Sequence, residues 1–238
     1  MFKRLGQEII DLLLPRECPG CGQRLTIDER IVCAECMMRL PWETKLDWTH
    51  NPRMVMSEEH PCLQRIGALM RYHRGNTASQ IIHQLKFHHR PDLGPWMGRL
   101  AVKQLQASGL FDGVEVLVPI PLSRTHLYSR GFNQSEWIAR GIAEALGIEM
   151  RTDVLKRCKD HESQTHFTYE ERLKNADNAF ERTAQAQTLA GRHVMLVDDV
   201  ITTGATMLND IRALEKIDGI RLSSFAWAWL PHPPQMAV

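Results

Sequence analysis

Two adjacent carboxylates, Asp198 and Asp199, directly follow an apolar run and are the residues of this chain best placed to do chemistry. The run 194–197 is bounded by polar residues, which is typical of a strand buried on both faces of a parallel sheet. In open α/β sheets, ligands bind at the edge where the strands end. Two carboxylates at that edge can accept hydrogen bonds from the vicinal hydroxyls of a sugar, so this acid pair predicts a sugar site.

A loop of small and hydroxyl-bearing residues follows the acid pair: Thr202, Thr203, Gly204, Ala205 and Thr206. Small residues let backbone N–H groups approach an anion, and a helix predicted to begin near Ala205 would offer its positive end. No lysine stands in 204–206, which argues against a Walker-type nucleotide loop. Acid pair and phosphate loop (202–206) together predict a ribose that carries a phosphate. The alternative is an acidic turn and an N-capped helix without a ligand.

A second strand is predicted to run into a loop stiffened by two prolines, which fix φ at both positions. This proline loop consists of Pro119, Ile120, Pro121 and Leu122, and the cations Arg124 and Arg130 follow it. A rigid loop at the ligand edge of the sheet with cations behind it suits a pyrophosphate group.

Four basic residues stand close together after a predicted helix: Lys86, His88, His89 and Arg90. Cations are favoured near the carboxyl terminus of a helix, so this basic patch can be an ordinary solvated helix end. It can equally face phosphates or nucleic acid. We expect the patch to lie outside residues 197–206, which include the acid pair and the phosphate loop.

Cysteine spacing predicts a metal site near the start of the chain. Two Cys-x-x-Cys pairs, Cys18 with Cys21 and Cys33 with Cys36, are separated by 11 residues. This is the pattern of a four-thiolate structural zinc site, in which no position is open for catalysis. A redox role for one pair is the alternative, but neither pair has a thioredoxin-like strand and helix around it.

Composition limits the possible functions. The chain has 238 residues and a formal net charge of +1, so any DNA binding must come from local patches. No apolar run approaches the length of a membrane span. The first residues predict an amphipathic helix with Leu5, Ile9, Leu12 and Leu13 on one face, rather than a secretory signal. We therefore expect a cytoplasmic protein.

Alternating helix and strand patterns must position these residues. Strands are predicted within 65–72, 114–122 and 220–230, and helices at 93–108, at 135–146 and over 208–216. A further helix should begin with Thr77 or Ser79 as its cap. We expect an α/β fold in which residues 1–60 form an N-terminal helix and zinc module and residues 61–238 form a parallel sheet flanked by helices.

The acid pair and phosphate loop resemble the phosphoribosyl-pyrophosphate (PRPP) signature of type I phosphoribosyltransferases. In that signature the acids hold the ribose hydroxyls and the loop cradles the 5′-phosphate. Several motifs occur in the same order in the ComF family of competence-related, phosphoribosyltransferase-like proteins, which includes DNA utilization proteins of the GntX type. These motifs are the cysteine pairs, 85–87, 118–122, 130–134 and 197–206. Many members carry a second cysteine cluster, of which only Cys62 could be a remnant.

The resemblance implies two functions of different classes. One is a magnesium-dependent phosphoribosyltransferase, a glycosyltransferase in which Asp198 and Asp199 would be the catalytic residues and pyrophosphate leaves C1 of PRPP. The other is a PRPP-binding protein that acts in competence or DNA uptake by handling internalised single-stranded DNA. In type I transferases a segment comparable to 155–180 forms a mobile loop and hood, and the hood candidates here are Gln164, Arg172 and Asn175.

Overall fold

Parallel strand pairing organises the computed structural model, which describes residues 15–43, 60–158, 180–202 and 204–231. Its main sheet contains β1 (Leu63–Arg71), β2 (Val116–Pro119), β3 (Glu149–Met150), β6 (His193–Ile201) and β7 (Arg221–Trp229). The strand order is β1-β7-β6-β2-β3, and every neighbouring pair is parallel. β4 (Leu155–Arg157) and β5 (Phe180–Arg182) form a separate antiparallel pair. β6, which carries the acid pair, is therefore the central strand.

Helices connect the strands, as parallel pairing requires. They are α1 (Ala34–Met38), α2 (Thr77–Phe87), α3 (Leu93–Leu105), α4 (Arg124–Arg130), α5 (Gln134–Leu146) and α6 (Ala205–Leu214), with short 3₁₀ turns at Gln106–Ser108 and Ala184–Leu189. Asn76 caps α2 by accepting a hydrogen bond from the backbone N–H of Ser79 at 2.9 Å. The prediction of Thr77 or Ser79 as the cap was wrong, because the asparagine one residue earlier already satisfies that N–H.

The sheet is covered on both faces. Along β6, Met195 and Val197 belong to the core that α2, α3 and α5 share, whereas Val194 and Leu196 belong to the core that includes α6. Side chains alternate between the faces of a strand, so one continuous apolar run serves both layers. None of the four residues has exposed surface. The run is therefore apolar at every position, whereas a strand with one face in water is apolar at every second position.

Glycines bring α3 and α5 into close contact. A Cβ atom on Gly98 would lie 2.2 Å from the carbonyl oxygen of Ile138, and one on Gly141 would lie 2.3 Å from that of Pro95. Side chains at these positions would push the helices apart. The contact fixes α5, whose first turn lies beside the end of β6.

The cysteine module, residues 15–43, packs against the edge of the sheet. Trp42 forms an antiparallel bridge with Met70 of β1, and the backbone N–H of Arg71 donates to Pro41 O at 2.8 Å. Glu43 accepts from the Arg71 guanidinium at 3.0 and 3.1 Å and from Trp229 Nε1 at 2.6 Å. One buried carboxylate thus ties the module to β1 and β7.

The predicted α/β class, with a parallel sheet flanked by helices and an N-terminal four-cysteine module, is confirmed. β6 continues to Ile201, so the acid pair lies within the last residues of the strand. The apolar run 194–197 had suggested that the acid pair would follow the strand. The division at residue 60 stays a prediction. The proposed amphipathic face of 1–14 and the hood candidates lie outside the described residues. Within the described ranges, none of the helices has the length and apolar character needed to cross a membrane.

Candidate functional site

The acid pair lies just beyond the end of β2. Val197 pairs with Pro119, the last residue of β2, so β6 projects past its neighbour on that side. Asp198 Oδ1 accepts hydrogen bonds from Ser135 Oγ at 3.1 Å and from the backbone N–H of Asp199 at 2.8 Å. Burial and the charge of Asp199 raise the pKa of Asp198 to about 7, against the opposing effect of Lys86. This carboxyl therefore changes its charge near neutral pH.

Asp199 is bound by a lysine that is distant from it in the sequence. Lys86, in the last turn of α2, has its Nζ 3.0 Å from Asp199 Oδ2, and the two side chains are only 21% and 10% exposed. Arg130 is close enough for the charge of Asp199 to oppose the fall in the Arg130 pKa that burial causes. The acid pair is thus compensated by two cations.

This ion pair corrects one expectation about the basic patch. Lys86 does not lie apart from the acid pair, because α2 ends beside the end of β6. Arg90 makes two hydrogen bonds to Asp92, at 2.9 and 2.8 Å, and His88 and His89 are exposed. The patch therefore divides into one residue of the site and a surface portion.

The phosphate loop leads into α6 through a left-handed glycine. Gly204 has a φ of 81° and is the N-cap of α6, a conformation that favours glycine. Ala205 is buried, Thr206 is partly buried and Thr202 is exposed, while Thr203 lies outside the described residues. The first N–H groups of α6 thus follow the acid pair within a few residues, where they can attract an anion.

The proline loop is fastened at Ile120. Its backbone N–H donates to Val197 O at 2.9 Å, and its carbonyl oxygen accepts from Asn133 Nδ2 at 3.0 Å. Pro121 and Leu122 are partly buried, and Arg124 is exposed at the start of α4. The loop is therefore held between β6 and the start of α5, on the same edge of the sheet as the acid pair.

Several residues of the site had not been singled out from the sequence. Ser135 binds Asp198, and buried Gln134 accepts from Arg130 at 2.9 Å. Asp210 of α6 has no exposed surface, and neither of its carboxylate oxygens has a hydrogen-bond partner among the described residues. Burial and then the charge of Asp198 raise the Asp210 pKa well above its usual value. Only Gln134 and Ser135 had a sequence signal, since Gln134 ends the 130–134 motif and Ser135 follows it.

The cysteine module has the geometry of a metal centre. The four sulfur atoms of Cys18, Cys21, Cys33 and Cys36 all lie within 4.8 Å of one another, and the Cys21 and Cys33 sulfurs are 3.8 Å apart. Tetrahedral Zn–S bonds of about 2.3 Å place sulfurs about 3.8 Å apart, so the cluster fits zinc. Backbone N–H groups of Cys33 and Cys36 point at sulfurs at 3.4 Å, as thiolates require.

Among the described residues, Cys62 and His60 do not form a second metal site. His60 Nδ1 lies 2.6 Å from Glu215 Oε2, so a carboxylate already engages this imidazole. In the ranges that the structure describes, the four cysteines of the module are the only group with the proximity that a metal ion needs.

A comparison with protein families supports the metal-binding character of the cysteine module. Residues 9–46 match the family described as "Double zinc ribbon domain". This match and the clustered sulfurs identify a structural zinc site formed by the four cysteines.

Comparison of the whole chain finds bacterial relatives. The "DNA utilization protein YhgH" of Salmonella typhimurium is 28% identical over 212 residues, which cover 82% of this chain and 89% of that protein. "Competence protein F" of Haemophilus influenzae is 30% identical, covering 60% of this chain and 63% of its own. "Competence protein ComFC" of Bacillus subtilis is 35% identical over 46% of this chain and 42% of its own. These similarities over most of the chain support its assignment to the ComF family.

Proposed function

We propose that this protein binds PRPP, accompanied by Mg²⁺, at the acid pair and acts in DNA utilization or competence. The observation that carries the proposal is the position of Asp198 and Asp199 at the end of the central strand, a few residues before the glycine-led start of α6. Carboxylates accept the hydrogen bonds of sugar hydroxyls, and a helix start attracts a phosphate. Both ends of a phosphorylated ribose thereby find a partner of the right chemistry.

Each part of the ligand has a proposed set of contacts. The ribose hydroxyls donate to the acid pair, whose carboxylates can accept them beside the existing contact with Lys86. The 5′-phosphate binds residues 202–206, and the pyrophosphate faces the proline loop, Arg124 and Arg130. Mg²⁺ would neutralise part of the pyrophosphate charge, and carboxylate oxygens of the acid pair are suitable ligands for it or for its waters.

The DNA-related part of the proposal rests on the relatives, two of which are named as competence proteins and one as a DNA utilization protein. PRPP would then be a ligand of a protein that handles internalised single-stranded DNA. Partners in this role would be the DNA itself and the uptake machinery, with the cytoplasm as the expected location.

Turnover of PRPP is a second candidate function, favoured by the Asp198 pKa of about 7. A carboxyl that titrates near neutral pH can take the proton of an acceptor. In this reaction a nucleophile forms a bond to C1 of the ribose, the C1–O bond breaks, and pyrophosphate leaves with the bonding electrons. The protein would orient the ribose and exclude water.

Calorimetry with PRPP and Mg²⁺ tests the proposed site. Asp198→Asn combined with Asp199→Asn should weaken binding by roughly 100-fold or more, since a hydrogen bond to a charged group contributes about 1.5–3 kcal/mol. Asp92→Asn, which changes a carboxylate paired with Arg90 outside the site, is the control and should bind as the unchanged protein does. Equal PRPP affinity in the double variant, with the fold verified by circular dichroism, would refute the assignment.

A further inference from the structure

We propose that three contacting rings at the end of α2, those of His83, Phe87 and His88, form a platform on which unpaired bases of single-stranded DNA stack. This inference rests on the DNA-related part of the proposed function and gives it a binding surface. The three residues are called the ring cluster below.

Phe87 is the apolar member of the ring cluster, and it is exposed where its apolar neighbours on the helix are buried. It is 58% exposed, whereas Ile81, Ile82 and Leu85 of α2 are at most 2% exposed. A phenyl ring left in water forgoes hydrophobic stabilisation that the helix obtains at every other large apolar position. The exposed ring therefore offers an aromatic face to a partner.

The rings support one another in a fixed arrangement. The centroids of His83 and Phe87 are 4.9 Å apart at an interplanar angle of 46°, and those of His83 and His88 are 5.3 Å apart at 48°. The guanidinium carbon of Arg130 lies 5.4 Å from the centroid of Phe87. Phe87 is thus held from two sides while more than half of its surface stays open to a partner.

The cations around the ring cluster suit a polyanion. Arg130 binds the neutral Gln134, and among the described residues it has no carboxylate within ion-pair distance. Lys86 precedes Phe87 directly but is paired with Asp199, whereas the basic side chains of His88 and His89 are exposed. Proteins that bind single strands combine such backbone-binding cations with aromatic rings on which bases stack. The positive charge would not complement a hydrophobic protein partner, whereas it complements the phosphates of single-stranded DNA, and we therefore commit to single-stranded DNA.

Fluorescence anisotropy with a labelled 15-mer of thymidine, at low salt, tests the platform. Phe87→Ala and Phe87→Leu should each weaken binding about 5- to 100-fold, the range of one stacked base, while Phe87→Trp retains it. The slope of log affinity against log salt should not change, because no charge is removed. Met38→Ala, which truncates another exposed apolar side chain that is 78% exposed, is the matched control and should bind as the unchanged protein does.

An abasic deoxyribose-phosphate strand of the same length separates stacking from other effects. The unchanged protein and Phe87→Ala should bind it equally, because it offers no base. If Phe87→Ala binds the thymidine strand normally, or loses affinity for both strands alike, the platform is refuted while the DNA-related role stands. Competition by thymidine monophosphate as strong as that by the strand would also refute it in favour of a mononucleotide site. If the protein binds PRPP but no single strand, the DNA-related role itself falls.

Discussion

Lys86 Nζ lies 3.0 Å from Asp199 Oδ2, and this ion pair joins the end of α2 to the end of β6 at the edge of the sheet. Both side chains are largely buried, so each would be costly to leave without its partner. The same lysine opposes the rise of the Asp198 pKa. Lys86 therefore pairs with Asp199 and also favours the ionised form of Asp198.

Replacing Lys86 by methionine should destabilise the protein by about 1–3 kcal/mol, because the carboxylate of Asp199 would stay buried without compensation. Urea unfolding measures the change. Arg90→Gln removes a more exposed cation paired with Asp92 and should cost at most about 1 kcal/mol. Equal stability of the Lys86 variant and the unchanged protein would mean that the ion pair contributes nothing.

PRPP binding should weaken as the pH falls below 7, because protonated Asp198 no longer offers a carboxylate to the ribose. With a pKa of about 7, ionisation at pH 6 is about one tenth complete, so the affinity should drop about tenfold relative to pH 8. Calorimetry across this range gives the profile. Ser135→Ala removes a hydrogen bond that lowers the Asp198 pKa and should move the midpoint to higher pH. An unshifted midpoint would show that another group titrates.

Asp210→Asn should stabilise the protein increasingly as the pH rises. Burial raises the Asp210 pKa in the folded state, so its contribution to stability is fully present below the unfolded value of about 4 and is lost as the pH increases. Because a single proton is involved, the stability difference between the variant and the unchanged protein should change by at most about 1.4 kcal/mol per pH unit. Urea unfolding at pH 4, 6 and 8 measures it. Asp112→Asn, at an exposed position, should stay within about 0.5 kcal/mol throughout, and a pH-independent difference for Asp210→Asn would contradict the expectation.

Cys36→Ser should abolish stoichiometric zinc binding and lower the stability of the cysteine module, because so short a segment depends on its metal for folding energy. Elemental analysis of the purified protein gives the zinc content. Cys62→Ser changes a cysteine outside the cluster and should leave one zinc per chain. Full zinc occupancy in the Cys36 variant would show that the cluster is not the site.

Glu43→Ala should destabilise the protein by about 1–3 kcal/mol, since it removes the carboxylate that accepts from the Arg71 guanidinium and from the indole N–H of Trp229. Thermal unfolding measures the loss. Glu43→Gln keeps an oxygen for the indole and should lose less. If both variants lose the same amount, the charge of Glu43 and not the indole bond holds the module.

The elements around the site could be predicted where the sequence signal is local. The apolar run 194–197 and the small residues before Ala205 identify β6 and the start of α6, because both signals depend on neighbouring residues. Cysteine spacing predicts the zinc site for the same reason. Contacts such as Lys86 with Asp199 and Ser135 with Asp198 were not predictable, because they arise only when distant helices pack on the sheet. The close contact at Gly98 is of the same kind, since no local turn requires that glycine.

The segment of the cysteine module around Trp42 covers the free edge of β1, which is the outer strand of the sheet. An uncovered edge strand of nine residues exposes a row of N–H and C=O groups that other chains can pair with. Zinc, by keeping the module folded against this edge, would then also keep the protein from aggregating.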